Sequence, residues 1–214
     1  MNKLFKELIL WFLILIPFIY LAAVWKTLPA QVATHFDFGG TPNDYTAKND
    51  MIYLLGALGI GTYLLMLFIP RFDPKKKIEQ MGDKYYSLRL LMTFFMSGIS
   101  LYLLYIGVKG VIIPNVLIGM IGAFDAAFGN YLQTVKPNYF IGIRTPWTLE
   151  NEDIWKSSHR LGGRMWMIGG LVTILLSIIL KNNIALGIIF ALITFIIVVV
   201  PIVYSYVEYK KLKS

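Results

Sequence analysis

Few residues of this chain have the chemistry to act on a ligand, and they gather in three places. The densest is Asn138–Gly163, N-Y-F-I-G-I-R-T-P-W-T-L-E-N-E-D-I-W-K-S-S-H-R-L-G-G, which holds two of the five Trp and one of the two His. His159 with Glu152 or Asp153 would be an acid/base pair. His159 and Glu152 are two turns apart along one helix face, too far for a direct hydrogen bond on a straight helix. No nucleophile or metal-ligand set accompanies them. The Arg144 guanidinium can stack on an indole, pair with a carboxylate or bind a phosphate. With Glu150, Glu152 and Asp153 close by, an internal ion-pair cluster is the simplest account. Trp147 and Trp155 suit an interfacial aromatic belt. Three readings of these residues stand side by side: an interfacial helix pinned by Trp and Arg, a docking surface for a cytoplasmic partner, and a catalytic site.

The second place is the segment 25–50. His35, Asp37 and Asp44 would converge there on a metal or a peptide ligand, or His35 would be hydrogen-bonded within an ordered cap. Two carboxylates and one His without helical spacing are a weak metal signal. Val32, Thr34 and Phe36 alternate with polar neighbours, so a short strand fits. Gly39-Gly40 and Pro42-Asn43-Asp44 have turn chemistry. The third place is Asp125, deep in an apolar run, with Asn130 and Gln133 nearer its end. An ionisable group in a bilayer costs a few kcal/mol or more unless satisfied. Asp125 therefore belongs on an interior face, as a packed, hydrogen-bonded acid or as a proton- or ligand-sensing carboxylate. Gly119, Gly122, Ala126 and Gly129 share its side of the helix, at a spacing that permits close helix approach.

The elements that position these residues are membrane spans. The chain has 214 residues, 57% of them hydrophobic, and the apolar ones come in long unbroken runs. A span needs about 20 apolar residues. Six segments qualify: Leu8–Val24, Met51–Ile69, Leu88–Val108, Val111–Leu132, Met165–Leu180 and Ile184–Tyr206. The first reads as a retained span, because it is long for a signal-peptide core and ends without a convincing cleavage site. The last two are joined by Lys181-Asn182-Asn183, a tight antiparallel turn. With the N-terminus inside, sixteen of the twenty Lys and Arg fall on the inner side, Lys75 and Lys213 among them. That asymmetry and anionic lipid heads account for the net charge of +8 without a nucleic-acid partner. The absence of Cys excludes disulfides, thiolate metal sites and a Cys nucleophile.

In the inner loop 133–164, Gly142 and Gly163 give backbone freedom, and Pro146 biases Thr145 toward an extended conformation. Thr148 is the expected N-cap, with Glu150, Glu152 and Asp153 in the first turns, where the helix dipole favours them. The pattern predicts an extended turn over 143–147 and an amphipathic helix from about Leu149 into the fifth span. Trp155 and His159, four apart, share one face of it.

The run G-I-R-T-P-W-T-L, followed by N-E-D-I-W and then H-R, resembles the hallmark of the SdpI family of bacterial membrane proteins. The likeness runs through Asn138, Gly142, Ile143, Arg144, Thr145, Pro146, Trp147, Thr148, Leu149, Asn151, Trp155, His159, Arg160 and Gly163. The segment from Leu28-Pro29 through Thr34-His35-Phe36 to Gly40 is similar to a second module, found at the N-terminus of longer members; Ala33 stands where Pro is expected. The resemblance implies immunity to a secreted killing peptide. It also implies signalling, in which the toxin-engaged protein recruits a cytoplasmic repressor to the membrane.

The combined expectation is an all-α integral membrane protein of the bacterial cytoplasmic membrane. It is a bundle of six transmembrane helices with both termini inside, one structured outer loop and one amphipathic inner loop. Residues 1–132 form a four-span module, and 133–214 form the inner loop and final hairpin. The expected function is immunity and signal transduction without catalysis or cofactor. The expected partners are the lipid bilayer, a secreted peptide toxin at His35, Phe36 and Asp37, and a cytoplasmic repressor. The repressor would meet Asn138, Gly142, Arg144, Thr145, Pro146, Trp147, Asn151, Trp155, His159 and Arg160. Three rivals stand beside it: a small transporter or channel using Asp125, a membrane enzyme acting on a lipid or envelope precursor, and a structural subunit.

Overall fold

The computed structural model describes residues 2–37, 40–73 and 76–212. Gly39, Lys75 and Lys213, which entered the turn and charge readings, lie outside the described residues. The chain is mostly helical. Five helices are long and apolar enough to cross a membrane: Lys3–Val24, Lys48–Phe72, Asp83–Lys109, Glu152–Ile179 and Asn183–Lys211. At about 1.5 Å per residue each exceeds the roughly 30 Å hydrocarbon core. This is a multi-pass membrane protein. The expected fourth span also forms a helix, Pro114–Leu132, but it is not among the five. Asn115, Asp125 and Asn130 dilute its apolar character.

Two compact units are present, Met1–Leu67 with Arg89–Leu117 and Phe68–Leu88 with Ile118–Ser214. Most of the Pro114–Leu132 helix thus groups with the inner loop, whereas the sequence pattern groups it with the N-terminal spans.

In the first unit, α1 (Lys3–Val24) is capped by Asn2, whose side chain accepts from Leu4 N–H. The strands β1 (Gln31–Phe36) and β2 (Pro42–Ala47) then pair antiparallel, with Val32 opposite Thr46 and His35 opposite Asp44. The chain is therefore not purely α-helical. The alternation from Val32 to Phe36 extends into a hairpin because the chain reverses between Asp37 and Thr41. There Asp37 N–H donates to Thr41 O, and Thr41 N–H to the Asp37 carboxylate. Pro42-Asn43-Asp44, expected to turn, is strand. The next span is built in pieces: a 3-10 turn Lys48–Asp50, α2 (Met51–Gly56), a π turn Ala57–Gly61 and α3 (Thr62–Phe72). It is followed by α4 (Asp83–Lys109).

Leu21, Leu28, Val32, Met51, Leu55 and Leu104 form this unit's core and seat the hairpin. Gly107 makes room for it, since a Cβ there would sit 2.7 Å from Val32 Cγ1. A polar cluster ties three helices together. Arg89 donates both guanidinium nitrogens to Glu7, at 2.8 and 3.0 Å, and Tyr63 O–H donates to the same carboxylate at 2.8 Å.

In the second unit, α5 (Pro114–Leu132) packs against α7 (Glu152–Ile179) through glycine. A Cβ on Gly122 would lie 2.9 Å from Gly170 O, and one on Gly129 would lie 2.6 Å from Gly163 O and strike Met167 N. The small-residue face expected on this helix is thus a true backbone-to-backbone seam. Between them in the chain comes α6 (Pro146–Glu150). The hairpin partner α8 (Asn183–Lys211) starts after the predicted tight turn and is capped by Asn182, which accepts from Ala185 N–H at 3.0 Å.

Candidate functional site

The inner loop is an ordered knot tied by its own signature residues. Asn138 is 2% exposed and uses its whole amide. Its Oδ1 accepts from Phe140 and Ile141 N–H at 2.8 and 2.7 Å, and its Nδ2 donates to Lys136 and Ile141 carbonyls at 2.9 and 3.1 Å. That is every donor and acceptor site an amide of this geometry can readily fill.

The helix start differs from the prediction. The N-cap is Thr145, in a capping box with Thr148, and Pro146 opens α6. Thr148 sits at the third helical position, where its hydroxyl donates to Ile143 O at 2.7 Å. Pro146 explains the shift, since proline needs no N–H partner at the first helical position. The helix does not run on from Leu149 either. Asn151 leaves α-helical geometry at φ −130°, then caps α7 by accepting from Asp153 and Ile154 N–H at 2.8 and 3.0 Å.

The two Trp are internal struts rather than a belt. Trp155 is fully buried, and its indole N–H donates to Val135 O at 2.8 Å. Trp147 donates to Ser205 Oγ at 2.7 Å and packs on the Tyr206 and Tyr209 rings. Arg144 is not part of an acidic cluster: its guanidinium donates to Tyr139 O at 2.6 Å, and Glu152 pairs with Lys156 at 3.6 Å.

His159 is the centre of the knot. Its ring stacks on Trp155 at 3.9 Å, the shared face predicted from their spacing. Nε2 faces Ile143 N–H at 3.0 Å and must accept, so the proton lies on Nδ1, which donates to Trp155 O at 2.8 Å. Both nitrogens are therefore used structurally. Gly142 adopts φ +110°, and a Cβ there would strike His159 Nε2. Only glycine lets the loop pass this close to the ring.

The outward side of this knot carries different residues. Arg144, Pro146 and Arg160 are exposed, whereas Asn138, Thr148, Trp155 and His159 are buried. Two cavities flank it. One of about 300 Å³ runs under Gly142–Thr145 against Phe128, Trp166 and Pro201. The other, about 420 Å³, is polar and lined by Lys77, Gln133, Lys136, Lys156, His159 and Arg160, among others.

The remaining predicted site residues do not join this region's chemistry. His35 Nδ1 lies 2.7 Å from Asn43 Oδ1, Asp37 caps the 37–41 turn, and Asp44 accepts from Tyr45 N–H. Each makes a local hydrogen bond, Phe36 is half-buried, and no metal-holding cluster occurs among the described residues. Asp125 is 7% exposed while Asn130 is exposed, so the two do not form one polar site. The Glu7–Tyr63–Arg89 cluster carries no sequence signal, because its members are 56 and 82 residues apart; Glu7 and Arg89 look like ordinary span flanks, and Tyr63 like one more aromatic within a span.

Comparison with known proteins follows the same division. Residues 134–205 match the SdpI/YfhL protein family, and residues 12–60 match a domain of unknown function, DUF1648. The first match takes in the inner knot, α6, α7 and most of α8; the second takes in most of α1, the hairpin and the start of the next span. Over 212 residues, 98% of each chain, the sequence is 26% identical to the Immunity protein SdpI of Bacillus subtilis (strain 168). No solved structure matches it.

Proposed function

We propose, for a chain whose residues 134–205 belong to the SdpI/YfhL protein family, a membrane immunity function: protection of the cell against a secreted antimicrobial peptide. The observation that carries this reading is a likeness to an immunity protein that runs end to end, over 98% of both chains. The protein resides in the bacterial cytoplasmic membrane with both termini inside. It has six spans, the fourth being α5, whose 19 residues reach roughly 28 Å. The positive-inside asymmetry supports that count.

The outer hairpin, with His35, Phe36 and Asp37, meets the peptide. The inner knot docks a cytoplasmic repressor. The buried residues Asn138, Thr148, Trp155 and His159 hold the shape, and Arg144, Pro146 and Arg160 make the contact. A surface already rigid before it meets its partner loses little entropy on docking. The function involves no catalysis. A histidine with one nitrogen accepting from a backbone N–H and the other donating to a backbone carbonyl has no free position for proton transfer, which supports this over the enzyme reading.

The test is a deletion strain challenged with envelope-active peptides and complemented by wild type or Arg144→Ala. Arg144 is exposed, so the variant reaches the membrane in wild-type amount. Protection is expected to fall to the level of the empty vector. Full protection by Arg144→Ala at equal membrane abundance would remove the docking role from this loop.

A further inference from the structure

The polar cavity beside the inner knot has a charge balance that asks for an anion. Four cations line it, Lys77, Lys136, Lys156 and Arg160, against one carboxylate, Glu152. Glu152 pairs with Lys156 at 3.6 Å. Lys77, Lys136 and Arg160 have no carboxylate partner among the described residues. They come from three separate stretches of the second unit: the 68–88 linker, the start of the inner loop and the first turns of α7. Gln80 and Gln133 add amide donors to the wall. Three unmatched cations crowded round about 420 Å³ repel one another, and a bound anion reverses the sign of that interaction.

The depth of the cavity narrows the ligand. Arg160 stands one turn before Arg164, and the apolar run of α7 begins at Met165. At about 1.5 Å per residue, Arg160 lies roughly 7.5 Å from the start of the hydrocarbon-facing segment. That is headgroup level, where a basic pocket beside membrane helices meets lipid phosphates. The geometry points to a specific binding site for the phosphodiester headgroup of an anionic lipid, held by Lys77, Lys136 and Arg160 with the two glutamines. Arg160 is shared with the proposed docking of a cytoplasmic partner, but headgroup binding requires only the chain and its membrane.

The test uses the purified full chain in detergent. Native mass spectrometry measures binding of phosphatidylglycerol and of phosphatidylcholine, and inorganic pyrophosphate is titrated separately without lipid. Wild type is expected to bind phosphatidylglycerol more tightly than phosphatidylcholine. The double variant Lys136→Gln/Arg160→Gln is expected to lose about 25-fold of the phosphatidylglycerol affinity, roughly fivefold per cation, the equivalent of about 1 kcal/mol each. Lys210→Gln, a cation outside the cavity, is expected to change it less than about twofold. If the double variant fails to fold by circular dichroism and gel filtration, Lys136→Gln alone decides the matter, with an expected fivefold loss. Equal affinity for the two lipids, or unchanged affinity in the variants, overturns the site. Tight pyrophosphate binding without phosphatidylglycerol binding overturns the lipid assignment and makes it a site for a soluble phosphorylated anion. None of these readouts involves immunity, so their failure and that of the proposed function are separable.

Discussion

Gly142→Ala isolates the contact on which the inner knot turns. Two effects act together at this position. The first is backbone strain, because φ is +110°, and holding an L-residue in such a sparsely populated region costs about 1–3 kcal/mol. The second is the added methyl, which would strike His159 Nε2. The ring cannot move away freely: Trp155 stacks on it at 3.9 Å, and Nδ1 is bonded to Trp155 O. The Ile143 N–H bond to Nε2 is the one that breaks, and an unsatisfied, partly buried N–H costs a further 1–3 kcal/mol or so. The expected loss is about 2–6 kcal/mol.

Gly82→Ala is the control. Its φ is +52° and nothing lies within 4 Å of the new methyl, so it carries the backbone cost alone. The assay is thermal unfolding of the purified protein in detergent. For a chain of this length about 1 kcal/mol corresponds to roughly 2–4 °C. A double-mutant cycle with His159→Ala completes the experiment. In that background the ring is gone, and Gly142→Ala is expected to cost no more than Gly82→Ala. If Gly142→Ala and Gly82→Ala destabilise equally in the wild-type background, or if removing the ring leaves the cost of Gly142→Ala unchanged, the close approach of loop to ring is not what glycine serves.

Two further outcomes are expected. Gly129→Ala should prevent α5 and α7 from seating, because the methyl meets Gly163 O and Met167 N, which are backbone atoms unable to rotate away; Gly61→Ala, whose nearest contact is 3.8 Å, should be tolerated, and gel filtration of the two proteins separates the cases. Arg89→Gln should destabilise by about 1–3 kcal/mol, a value reduced from that of a fully buried pair because Glu7 remains about a quarter exposed; adding Glu7→Gln should restore part of the loss, and the same thermal assay would detect the absence of any recovery.

How much of the site was legible depended on the range of the interaction. Trp155 and His159 were paired from their four-residue spacing, since a helix dictates that neighbourhood by itself. The α5 glycine face was legible for the same reason. Thr145 and Thr148 both have the side chain of an N-cap, and only the φ and ψ set by Pro146 give the role to Thr145. Trp147 and Trp155 were read as interfacial because their indole N–H partners, Ser205 and Val135, are 58 and 20 residues away. The acids close in sequence make an ion-pair cluster the simplest account of Arg144, whereas its guanidinium donates to the Tyr139 carbonyl.

What the sequence determined alone is the part governed by solvent and local geometry: long apolar runs that require a bilayer, and a polar signature loop. These follow from the cost of placing polar groups in hydrocarbon and from the helical repeat, both readable residue by residue. Tertiary structure alone decided which signature residues face inward. His159 lies against Gly142, sixteen residues from Ile143, whose N–H it accepts, and this single contact turns a candidate acid/base group into a structural pin. Likewise, only folding collects Lys77, Lys136 and Arg160 round one cavity, because charges distant in the chain have no common field until packing brings them within a Debye length of one another.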